Sequence, residues 1–147
     1  MIELALCLVV AIGDGDTLKV RCGQDGSYQQ TTIRLAEIDA PEKGQPYARR
    51  ATASLAAVCF GAWATVSAEK KDRYGRTVAR VRCRGSDASE EQVRNGMAWA
   101  YTQYLTDGGI RTLESEARQG QMGLWADASA MPPWQFRAAK RAKGGKG

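Results

Sequence analysis

An apolar stretch, residues 4–12, and an alternating apolar–polar one, 17–22, flank the tetrad Gly13-Asp14-Gly15-Asp16. An Asp-Gly pair suits the centre of a type I′ hairpin, where both central residues need positive φ. With Asp14-Gly15 as that centre, Ala11 faces Leu18, Val9 faces Val20 and Cys7 faces Cys22. Thr17, Lys19 and Arg21 then fall on the opposite face. A hairpin with one apolar and one polar face is the wall of a barrel or a sandwich.

The rest of the chain extends that pattern. Residues 29–39 read as a third strand, with Ile33 and Leu35 toward the core. The alanine-rich stretch 45–59 reads as a helix, with Tyr47, Ala51, Leu55 and Val58 along one face. Residues 63–69 and 76–83 predict two more strands, joined by the polar turn 70–75. Asp87-Ala88-Ser89-Glu90 fits a capping box, and Asn95-Gly96 closes the helix it starts. Residues 110–121 predict a third helix, and Pro132-Pro133 is expected to end regular structure. The expectation is a mainly β fold with helices: a five-stranded OB-type barrel plus about three α-helices. It occupies one domain, residues 1–136, followed by a basic, disordered tail, 137–147.

The chain is 147 residues long, enough for one domain with a real core. No apolar run reaches the roughly 18 residues of a membrane span. The run 4–12 is short and has no basic region before it, so it reads as a buried strand rather than a signal peptide. The net charge of +5 sits in Arg137, Lys140, Arg141, Lys143 and Lys146; the remainder is balanced. Such a tail either adds nonspecific phosphate affinity or is a plain solvated end.

The chain contains no histidine. Ser-His-Asp triads, His-ligated zinc and histidine acid–base pairs are therefore excluded. What remains is a set of acids and arginines: Asp14-Gly15-Asp16-Thr17, Ile33-Arg34-Leu35, Asp39-Ala40-Pro41-Glu42 and Asp72-Arg73-Tyr74-Gly75-Arg76. Acids that hold a hard cation, with arginines that grip a phosphate, are the parts for metal-assisted phosphodiester hydrolysis.

With Val93-Arg94-Asn95-Gly96-Met97-Ala98 and Gly123-Leu124-Trp125 added in order, the chain resembles the staphylococcal (thermo)nuclease family over residues 5–126. The resemblance implies an OB barrel with three helices, calcium dependence, and cleavage of both DNA and RNA to leave 3′-phosphate ends. It matches Asp16 and Asp39 to calcium carboxylates, and Ala40 to the position whose backbone carbonyl is also a ligand. Glu42 matches the carboxylate that activates the attacking water, and Arg34 and Arg76 the arginines on the scissile phosphate. Tyr74 and Tyr101 resemble tyrosines of the nucleotide pocket.

Blander readings stand beside these. The Asp-Gly turn explains Asp14 without catalysis. Arg34, Asp39 and Glu42 make sense as a surface ion-pair set, and the tyrosines as core packing. Strict alternation places Arg34 and Asp39 on opposite strand faces, so they meet only if the strand bends. The cysteines pair as Cys7–Cys22 and Cys59–Cys83, or stay as four reduced thiols. Disulfides would favour a periplasmic or secreted protein. The favoured function is a monomeric calcium-dependent nuclease acting on DNA and RNA, with no membrane or protein partner. A noncatalytic nucleic-acid-binding barrel is the alternative, though it has no use for the metal carboxylates. An oligosaccharide-binding module leaves the paired arginines unexplained.

Overall fold

A computed structural model describes residues 3–23, 26–101 and 108–144. Strand β1 (Glu3–Asp14) pairs antiparallel with β2 (Thr17–Cys22), and β2 with β3 (Gln29–Leu35). A short β4 (Ile38–Asp39) leads to helix α1 (Ala48–Cys59). Strands β5 (Trp63–Lys71) and β6 (Thr77–Cys83) follow, β5 pairing with both β1 and β6. The sheet closes where β3 runs parallel to β6, with Arg34 opposite Val78. The result is the expected five-stranded barrel. Its interior is filled by Leu18, Val20, Ile33, Leu35 and Val81, capped by Leu55 of α1. These are the apolar alternate positions of each strand, as burial on one face requires.

The remaining elements pack around one end of the barrel. Strand β7 (Ser86–Asp87) extends β6 and leads into α2 (Ala88–Arg94). The Asp87 carboxylate accepts from the backbone N–H of Glu90 at 3.0 Å, so the predicted cap forms. Strand β8 (Trp99–Ala100) pairs with β4, α3 (Gly108–Gln119) follows, and a 3₁₀ turn spans Gly123–Ala126.

Three expectations need correction. Val9 does oppose Val20, and Cys7 opposes Cys22, but Ala11 opposes Lys19 and Leu18 pairs with Ile12. Two bulges in β1 shift the register, and the turn falls at Gly15-Asp16, neither of which has positive φ. Gly15 is required for a different reason: a Cβ there would lie 2.6 Å from that of Ala51 and 2.9 Å from that of Ala40. The predicted third strand is broken at Ala36-Glu37, where Glu37 has φ 67° and its buried side chain pairs with Arg80.

Pro132-Pro133 does not end regular structure either. A fourth helix, α4 (Pro133–Gly144), begins there, and the expected boundary at 136 falls inside it. Proline needs no N–H in the first helical turn, and the alanines, arginines and lysines that follow are good helix formers. Lys146, one of the tail's five charges, lies outside the described residues.

Candidate active site

The closed barrel brings four separate segments to one groove of about 900 Å³. The pairing of Thr17 with Arg34 sets the β1–β2 turn beside β3. The pairing of Ile33 with Thr77 brings Arg76 alongside. Gln92, fully buried in α2, clamps the turn by donating to the carbonyls of Gly15 (2.7 Å) and Ala51 (2.9 Å). It has no signal in the sequence beyond being one polar residue in an amphipathic helix.

The two proposed metal carboxylates are buried and adjacent. Asp16 is 7% exposed and Asp39 1%. One Asp16 oxygen accepts from the backbone N–H of Ala40 at 2.8 Å. The break at Glu37 turns β4 back, so Arg34 reaches both acids, at 3.3 Å from Asp39 and 3.5 Å from Asp16. Alternation along an unbroken strand would have kept Arg34 and Asp39 apart. Glu42 and Asp14 line the same groove.

Opposite them stands the β5–β6 turn. Asp72 accepts from the backbone N–H groups of Tyr74 and Arg76, each at 2.9 Å, and from Arg76 Nε at 2.7 Å. Burial pushes the Asp72 carboxyl up, but these bonds to Arg76 and Tyr74 outweigh it and hold the group below its usual range. Asp72 therefore aims Arg76, a task the motif did not reveal. Tyr74 is 68% exposed, with the Arg73 and Arg76 guanidiniums over its ring at 5.0 and 5.5 Å. Tyr101 lines the groove and stacks on Trp134, with centroids 5.8 Å apart. Neither tyrosine is in the core.

Sequence reasoning missed the contribution of α4 altogether. Arg137 donates to both Asp39 oxygens, at 2.7 and 3.2 Å, and to Glu42 at 2.6 Å. Asp39 and Glu42 raise the Arg137 pKa above its ordinary value. Burial still leaves Asp39 raised, despite its bonds to Arg137 and Arg34. Asp14 lies exposed at the rim of the groove, where partial desolvation and the charges of Asp16 and Glu42 raise its carboxyl.

A raised acid stabilises the fold while protonated, below its ordinary value of 3.8, and that contribution is lost as pH rises through its folded value. Asp14→Asn is therefore expected to raise the melting temperature in chelator at pH 7 and to give no gain near pH 3. Melting curves at the two pH values check it; an equal gain at both removes the electrostatic cause.

This donor set suits a hard divalent cation. Asp16 and Asp39 are buried carboxylates that share Arg34, and a divalent cation would take over the charge compensation that Arg34 and Arg137 give them here. Among the described residues no three acidic side chains form a ready-made metal cage. A cation here would use two carboxylates, the Ala40 carbonyl and oxygens from water or phosphate.

A barrel with adjacent buried carboxylates, a flanking glutamate and arginines on both sides of one groove defines a class: a nuclease, hydrolysing phosphodiester bonds. The chain belongs to the staphylococcal nuclease homologue family, whose model matches residues 32–127. It is 42% identical over 133 residues to a protein of Escherichia coli O157:H7 described as an uncharacterized endonuclease, covering 90% of this chain and 84% of that one. It is 38% identical over 144 residues to a micrococcal nuclease of Shigella flexneri, covering 90% and 80%. The staphylococcal-like nuclease CAN1 of Arabidopsis thaliana is 38% identical over 109 residues, covering 74% of this chain and 34% of that one.

Proposed function

We propose that this nuclease is calcium-dependent and sugar-nonspecific, cutting DNA and RNA by release of the 5′ oxygen to leave 3′-phosphate ends. The observation that carries this reading is the convergence of Asp16, Asp39, Arg34, Glu42 and Arg76 on one groove from four segments. Surface ion pairing alone does not call for two carboxylates buried side by side.

Asp16, Asp39 and the Ala40 carbonyl would hold the ion, and a bound ion would supply Lewis-acid polarisation of a phosphate oxygen and offset the charge built up during attack. Glu42 orients the attacking water and takes its proton. The forked guanidinium donors of Arg34 and Arg76 match the equatorial phosphate oxygens. Asp72 fixes Arg76 before substrate arrives, so little ordering remains at the moment of reaction. With no histidine in the chain, water delivers the proton to the departing oxygen.

Plasmid DNA and a single RNA transcript, each incubated with calcium or with excess chelator, test the reading. Cleavage of both with calcium and of neither with chelator is expected. The new ends are expected to accept label from polynucleotide kinase at the 5′ hydroxyl without prior dephosphorylation. Full cleavage in chelator removes the metal mechanism. Silence with every divalent ion leaves the noncatalytic binding barrel.

A further inference from the structure

Helix α4 lies beyond the matched family region, which ends at residue 127, yet it forms a wall of the groove. Trp134, Arg137 and Arg141 all line it. Their spacings of three and four place them on one helix face. The helix is anchored at its start, where Gln45 Nε2 donates to the Met131 carbonyl at 2.6 Å and Pro133 is buried.

Trp99 and Trp134 differ in placement. Trp99 is 3% exposed and packs edge-on against Trp125, as a core residue does. Trp134 is only partly buried and lies nearly parallel to Tyr101, at 18° between planes. One turn beyond Arg137, Arg141 is exposed and has no acidic partner among the described residues. A partly open aromatic stack followed by a cation matches the alternation of base and phosphate along a nucleic-acid strand.

We propose that α4 supplies a subsite for the nucleotide flanking the scissile phosphate, its base stacking on the Trp134–Tyr101 pair and its phosphate held by Arg141. This rests on the nuclease reading for the position of the scissile phosphate between Arg34 and Arg76. The ligand class is a nucleotide within a strand, since base and phosphate are recognised together. Stacking tolerates any base because each has a π face, so the subsite adds affinity rather than sequence choice.

The test is binding of a labelled oligothymidylate and of an abasic strand of equal length, followed by fluorescence anisotropy in chelator with both strands checked for integrity. Trp134→Ala is expected to weaken the thymidylate on the order of 10- to 100-fold and to leave the abasic strand nearly unchanged. Trp134→Phe should recover most of the loss, and it keeps the test alive if the alanine variant does not fold. Arg141→Ala should weaken both strands and reduce the salt slope of log affinity by about 0.7, the value for one single-strand phosphate. Equal loss on both strands from Trp134→Ala would make Trp134 a mere prop for α4. Unchanged binding, or no measurable binding of thymidylate by the unaltered protein, also overturns the subsite. A strand bound in this pattern but never cut in calcium would sink the nuclease reading and leave the subsite standing.

Discussion

Glu42→Gln is expected to lower kcat by about 10²–10⁴-fold, the range for loss of a positioned general base. Glutamine keeps the size and one acceptor oxygen, so the contact with Arg137 at 2.6 Å has a neutral substitute and the fold should survive. Arg76→Ala should cost about 10²–10³-fold, the effect of removing one donor aimed at developing charge. Arg76 is held by Asp72 rather than by the core, and its side chain is 33% exposed, so this variant too should keep its melting temperature. In both cases the work lies mainly in the transition state, and KM should move less than kcat. Steady-state kinetics on single-stranded DNA at saturating calcium decide it. Near-normal turnover in either variant means that its role is misassigned.

Reducing the cysteines should have the largest effect on stability. Cys7–Cys22 ties two neighbouring strands, with Cα atoms 4.5 Å apart, and Cys59–Cys83 ties the end of α1 to the end of β6, at 5.2 Å. They close separations of 15 and 24 residues. Loops of that size correspond to about 3 kcal/mol each through the restricted unfolded chain. For a domain of this size each bond is then worth on the order of 10 °C in melting temperature. Melts of oxidised and of reduced, alkylated protein measure this, after a nonreducing peptide map has confirmed the two pairs. Coincident melts would show that the bonds leave the unfolded ensemble unconstrained.

What the sequence by itself determined is the local and the modular. Alternation along β1 and β2 set the apolar faces, and their hairpin put Cys7 opposite Cys22, because a period of two leaves little freedom in a half-buried strand. The capping box predicted the start of α2. The ordered acid and arginine motifs named the residues that line the groove. Other features depended on contacts between distant segments, and only the tertiary structure decided them. Arg34 and Asp39 meet because the chain breaks at Glu37, a non-glycine residue held at φ 67° by surroundings that come from elsewhere: Tyr101 N–H on its carbonyl and Arg80 on its carboxylate. Gly15 proved necessary for its close approach to Ala40 and Ala51 rather than for its φ, since α1 packs onto the turn. Pro132-Pro133 read as a stop because a proline lacks an N–H, yet the first helical turn needs none. That distinction turned an expected loose tail into α4 and carried Trp134 and Arg137 into the groove. Local pattern shows which residues a helix can contain; only packing against the barrel decides that it forms here and which side chains it delivers.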